Sequence, residues 1–213
     1  MKTATLKQAK KVLELLEDVL SEQLQGFLES GLFSDLLAVD INAIDREEFR
    51  RACGLSVKDL KIATVPFDPM AFIGERWQEI AGEQDERSVN LPEVDFAKVR
   101  FVRYLKKGES SIKREEFLRR LKETDDIRLG TTVFMGLWND YEAKRKDSVI
   151  EHLYQEGKIK NWLYFFGSII LGPDGDRGVL YLYRRGDGEW RWSVDWLESD
   201  WDTESLSAVL PQV

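Results

Sequence analysis

The chain has 213 residues, 43% hydrophobic and 33% charged, with a formal net charge of −8. That apolar fraction excludes an intrinsically disordered chain, and the acidic balance disfavours a general nucleic-acid binder, which needs a basic stripe to neutralise phosphates. A single cysteine excludes an internal disulfide framework and fits a reducing, cytoplasmic compartment, and no apolar run approaches the ~18 residues of a membrane span.

In the N-terminal part, Leu6, Ala9, Val12, Leu13, Leu16, Val19, Leu20, Leu24, Phe27 and Leu28 recur every three or four residues, an apolar stripe along one helix. Thr5 with Gln8 and Asp45 with Glu48 read as capping boxes, and Gly54 closes a short helix over Phe49–Cys53. Residues 1–61 are therefore expected to be helical, with a stripe that docks on the rest of the chain or on a partner, a second copy making a homodimer.

The character changes near residue 62. Asp68 before Pro69 is a helix-start signal for one short turn ending at Gly74. Arg76–Ala81 and Lys98–Leu105 read as strands separated by a loop over Gly82–Asn90. Three amphipathic helical patterns follow: Ile112, Phe117, Leu118 and Leu121; Val133, Phe134, Leu137, Trp138 and Tyr141; and Val149, Ile150, Leu153 and Tyr154, the last opened by a capping box of Ser148 and Glu151. Trp162–Leu171, Val179–Arg185 and Glu189–Leu197 then read as an antiparallel meander, joined by GPDGDRG and GDG, both rich in residues that tolerate positive φ.

The last of these runs carries the strongest pattern. Trp190, Trp192, Val194 and Trp196 alternate with Glu189, Arg191, Ser193 and Asp195, so one face is apolar and the other polar. The apolar face is expected to lie in the core under the three helices, with Trp192 at its middle. Trp201, among acids in ESDWDTES, and Trp162, after KIKN, are expected nearer the surface, as rim residues sealing the core or as platforms for a ligand.

GSIILGPDGDRGVLYLYRRGDGEWRWSVDWLESDWDTESLSAVL resembles the C-terminal part of a group of hypothetical proteins predicted from uncultured small-genome bacteria. PFDPMAFIGERW, KKGESSIKREEFLRRLK and IRLGTTVFMGLW resemble successive pieces of the same proteins, as does ESGLFSDLLAVDINAIDREEFRRACGL. The resemblance implies a soluble bacterial protein. It brings no activity, substrate or cofactor, so it transfers no functional residue.

The chemistry the residues permit is narrow. His152 is the only histidine, in EHLYQ without a nucleophile motif, and reads as a helix-surface residue; Cys53 reads as a small buried apolar side chain. One His and one Cys cannot make a zinc set, and Asp174 and Asp176 fit a hairpin turn better than a calcium loop. No phosphate-cradling glycine loop is present, so no cofactor is expected. The basic run Lys98–Arg120 is interrupted by Glu109, Glu115 and Glu116 and reads as a solvated face, with nucleic acid a minor alternative.

These features predict an α+β fold: an antiparallel sheet of about five strands with helices on one face, spanning 62–213 and ending in a three-stranded meander, after a helical region. The function they favour is a non-catalytic protein or peptide interaction module, working through the N-terminal helix or the tryptophan-edged sheet. The alternative is a carbohydrate binder or carboxylate-dependent carbohydrate-active enzyme. Trp162, Trp201, Asp195 and Glu198 are the ligand-binding candidates, since acids beside tryptophans are the ingredients of glycoside chemistry.

Overall fold

The structure, a computed structural model, describes residues 60–212 together with seven positions between 25 and 38. The chain divides into two compact units, Met1–Lys58 and Asp59–Val213. The stripe from Leu6 to Leu28, both N-terminal capping boxes and Cys53 lie outside the described residues.

The central element of the second unit is strand β9 (Arg177–Arg184), and the sheet extends outward from it. On one side β9 pairs antiparallel with β10 (Trp190–Trp196), from Trp190 opposite Arg184 to Trp196 opposite Gly178. On the other side it pairs antiparallel with β7 (Trp162–Tyr164) and β8 (Ile170–Leu171). β12 (Ser205–Leu210) then runs parallel to β7, and β4 (Arg100–Val102) and β6 (Ile127–Arg128) pair antiparallel with β12. β2 (Gln78–Glu79) adds to β8, completing a mixed, strongly curled half-barrel sheet of eight strands. Two small ladders stand apart from it: β1 (Lys61–Ala63) with β3 (Glu93–Asp95), and β5 (Ser111–Lys113) with β11 (Asp200–Asp202).

The structure corrects three expectations, beginning with the sheet, which has eight strands rather than about five. The sheet is mixed rather than purely antiparallel, because the chain does not stop at the β9–β10 hairpin but returns through β11 to place β12 beside β7. The helices also lie on both faces. Leu163, Phe165, Leu180, Leu182, Leu206 and Trp190 pack into one core with α4 (Thr131–Lys144) and α5 (Val149–Gln155). Their strand neighbours Tyr164, Phe166, Val179 and Val209 pack into a second core with Phe117, Leu118 and Leu121 of α3 (Arg114–Lys122). A sheet covered on both sides needs nearly continuous apolar strands, which is what WLYFF and VLYLY supply.

Local signals set the helix ends. Asp68 accepts from the N–H groups of Met70 and Ala71 to open α1 (Pro69–Phe72). Ser148 accepts from Glu151 N at 3.4 Å to open α5, but the Glu151 side chain does not turn back to complete the box; it is buried and used elsewhere. The stretch read as a loop, Gly82–Asn90, contains a short helix, α2 (Glu86–Val89), whose cap residue Asp85 also takes the Arg128 N–H at 3.0 Å and the Arg87 guanidinium. No helix among the described residues is long and apolar enough to cross a membrane.

Candidate interaction site

β10 pairs only with β9 among the described residues, so it is an edge strand. In an antiparallel ladder the N–H and C=O of one residue point to the same side, and sides alternate. Leu197 N donates to Arg177 O at 2.9 Å, so 191, 193 and 195 face β9; Phe165 N donates to Leu180 O at 3.0 Å, so Leu180 faces away from Val194. The backbones of Trp190, Trp192, Val194 and Trp196 therefore point outward. Tyr141 Oη takes the Trp190 N–H at 3.0 Å. Asp195 takes that of Trp196 at 3.0 Å, and Ser199 N donates to Trp196 O at 3.0 Å. Between these closed ends, the N–H groups of Trp192 and Val194 and the C=O of Trp192 have no partner among the described residues, while Val194 O meets Ser193 Oγ at 3.5 Å.

The tryptophan face of β10 is graded along the strand. Trp190 is fully buried, its Nε1 donating to Glu151 at 3.0 Å. Trp192, expected at the centre of the core, is half-buried and lies 4.5 Å from the Phe72 ring. Trp196 is 37% exposed and stacked on Trp77 at 5.8 Å and 9°. The cause is position: Tyr154 of α5 meets the Trp190 ring at the start of the edge strand, whereas Phe72 and Trp77 meet Trp192 and Trp196 farther along, with Gly172 beside the Trp196 ring.

On the other face the register aligns two cross-strand rows: Arg191, Tyr183, Trp162 and Ser205, and then Ser193, Tyr181, Tyr164 and Ser207. Tyr164 and Tyr181 stack at 4.7 Å and 13°, and Tyr181 meets Tyr183 at 5.6 Å. The Tyr164–Tyr181 spacing equals the distance between strands, so these rings stand upright on the sheet with their faces turned to one another. Beneath this row Arg114, 6% exposed, places Nη2 2.6 Å from Asp195 and 3.2 Å from Tyr164 Oη, while the phenol donates to Asp195 at 3.1 Å. Burial pushes the Tyr164 phenol up to about 12, against the opposing pull of Arg114, so it remains a donor at neutral pH. Asp195 is thus the counter-ion of a buried arginine.

The remaining candidates separate. Glu198 lines a cleft of about 340 Å³ with Trp196, Glu115, Asp176 and Arg177, whose guanidinium is shared between Glu83 and Glu115. Asp195 is not among the residues lining that cleft; its carboxylate is taken by Arg114 and Tyr164. Trp162 is two strands across from Trp196 and is offset from it by five positions, about 17 Å, along the strand direction. Trp201, expected near the surface, is wholly buried: it stacks on Phe117 at 4.0 Å and donates its Nε1–H to Arg103 O at 3.1 Å. His152 is half-buried on α5, with Nδ1 unpartnered among the described residues.

Much of the basic run is committed to carboxylates: Arg100 to Asp126, Arg119 to Glu116 and Glu123, and Arg120 to Glu109 and Glu116. No group of three or more His, Cys, Asp or Glu side chains among the described residues is arranged to hold a metal ion. The residues that sequence reasoning passed over are Tyr181, Tyr183, Arg114 and Trp77. The tyrosines alternate in VLYLYR and were visible as one strand face, whereas Arg114 and Trp77 reach β10 only through long-range packing. No family model, curated protein or solved structure matches the chain.

Proposed function

We propose that this protein is a non-catalytic interaction module that binds an extended segment of another protein by adding it as a strand to the free edge of β10. The observation that carries this reading is the outward backbone of Trp192 and Val194, without partners among the described residues and bounded by capped groups at Trp190 and Trp196. Strand addition draws affinity from main-chain hydrogen bonds and specificity from alternating side chains. Here one set of ligand side chains would lie beside Trp192, Val194 and Trp196 and the other beside Arg191, Ser193 and Asp195, so the ligand should alternate apolar and polar residues. Three available groups at roughly 0.5–1.5 kcal/mol each make the backbone part modest, and the half-buried tryptophans supply the remainder.

The carbohydrate reading has less support. Sugar recognition needs open aromatic faces, whereas Trp201 is buried and the Tyr164 and Tyr181 faces are turned to each other.

Selection from a random peptide library against the wild type and Val194→Pro tests the proposal. Proline removes the outward N–H and blocks a partner strand, yet breaks no bond to β9, the one place a sheet tolerates it. Wild type should enrich alternating sequences whose binding slows hydrogen exchange at Trp192 and Val194, and V194P should enrich none while keeping its melting transition. Equal enrichment by both proteins would refute strand addition.

A further inference from the structure

The open stretch of β10 is short and symmetrical about Ser193. Trp192 lies on one side with its N–H and C=O unpartnered among the described residues, and Val194 on the other with its N–H unpartnered and its C=O meeting only Ser193 Oγ at 3.5 Å. Beyond them, Tyr141 closes the N–H of Trp190 and Asp195 that of Trp196. In an antiparallel ladder, residues that point their backbone at the partner strand pair with residues that do the same, and each pair exchanges two bonds. One self-pairing of this strand joins all the open groups: Trp192 opposite the second copy's Val194, Val194 opposite its Trp192, and Ser193 facing its own equivalent on a two-fold axis. A shift of two residues either way sets an open residue against Trp190 or Trp196, whose N–H groups are already spent.

The same register decides the side chains. Arg191 falls opposite the second copy's Asp195, and the axis makes this contact twice. Arg191 is exposed, and its guanidinium meets no carboxylate among the described residues. Asp195 keeps 24% of its side chain exposed; its Oδ2 serves Arg114 and Tyr164, while its Oδ1 serves the Trp196 N–H. On the other face Trp192 lies against the second copy's Val194. Opposite charges and an aromatic beside a β-branched residue are both favourable cross-strand pairs.

From this match of backbone and charge we infer that β10 pairs with β10 of a second copy about a two-fold axis through Ser193, forming one sheet across a homodimer. The inference rests on the free edge that carries the strand-addition reading, and it adds regulation to it. A second copy and an extended segment compete for the same groups, so segment binding dissociates the dimer.

Ser193→Cys tests the register. Directly opposed residues that share no backbone bonds stand about 4.5 Å apart at Cα, within disulfide reach. Under mild oxidation S193C should become linked from 193 to 193, located by peptide mapping. Arg191→Cys, whose two equivalents are offset by four residues, about 13 Å, should stay unlinked. In light scattering the wild-type mass should rise with concentration from one chain towards two, while V194P stays at one. Arg191→Asp leaves every backbone bond in place but sets like charges opposite each other, and should raise the dimer dissociation constant about tenfold. A wild type that remains one chain at every concentration, equal linking of S193C and R191C, or an R191D dimer as tight as wild type would overturn the inference. A monomer that still enriches peptides would leave strand addition standing alone, and S193C linking without peptide enrichment would leave only the dimer.

Discussion

Replacing Trp201 with alanine tests whether the acid-flanked tryptophan is part of the core. The side chain is 0% exposed, stacked on Phe117 and edge-on to Tyr164 and Phe166 at 5.0 and 5.4 Å. Burying a tryptophan removes about 150–250 Å² from water, which at about 25 cal/mol per Å² is roughly 4–6 kcal/mol. Part of that is recovered when neighbours relax into the space, so the expected cost is about 3–5 kcal/mol, the range for large aromatic deletions. For a unit of this size each kcal/mol moves the melting temperature by about 2–4 °C, predicting a fall of roughly 6–20 °C. Trp201→Phe keeps an aromatic against Phe117 but orphans the Arg103 carbonyl, and should cost only about 1–2 kcal/mol. Differential scanning calorimetry on both variants is the assay. A W201A protein melting within about 2 °C of wild type would refute the placement of β11 against α3.

Gly136→Ala sets helix propensity against packing: alanine should favour α4 by about 1 kcal/mol, but its Cβ would enter the shell of the Ala63 carbonyl oxygen, a backbone atom that cannot rotate away. The net expectation is destabilisation by about 1–3 kcal/mol in urea unfolding, and a stabilised variant would contradict the close α4–β1 contact. For Asp85, burial alone would raise the carboxyl, but the Arg87 guanidinium and the Arg128 N–H outweigh it and hold the group below its ordinary range. Its contribution is therefore present above the unfolded value of about 3.9 and is lost as pH falls through the folded one. Asp85→Asn should lose about 2–3 kcal/mol at neutral pH, and the gap to wild type should close below about pH 4; a gap independent of pH would refute the assignment.

How much of the fold was legible in the sequence depends on range. Asp68, Ser148 and the GDG turn act within a few residues, and each is found where local chemistry places it. Strands β2, β6 and β8 are two residues long, too short for a period, and exist because a distant partner holds them. Even Trp201 had a local signal: Asp200 and Asp202 flank it in an exposed, buried, exposed triplet, the alternation of a strand with one inward side chain. The acids around it say only that its neighbours face water.

β10 shows where such reasoning stops. WRWSVDW gives two faces, and both exist, but a period of two carries no information about which neighbour lies on either side. Trp190 at 0% exposure and Trp196 at 37% share a face and a residue type, and differ because the covering layer thins between them. Likewise nothing in SVD separates Val194, whose amide points away from β9 and has no partner among the described residues, from Ser193, whose amide is spent on β9. That difference depends on register, fixed by the GDG turn and by the pairing of Leu180 with Phe165. An unpaired edge is normally blunted by charge, proline or a bulge. On this one the outward-facing residues are tryptophan and valine, which makes the edge a better candidate for recognition than any single side chain chosen for its chemistry.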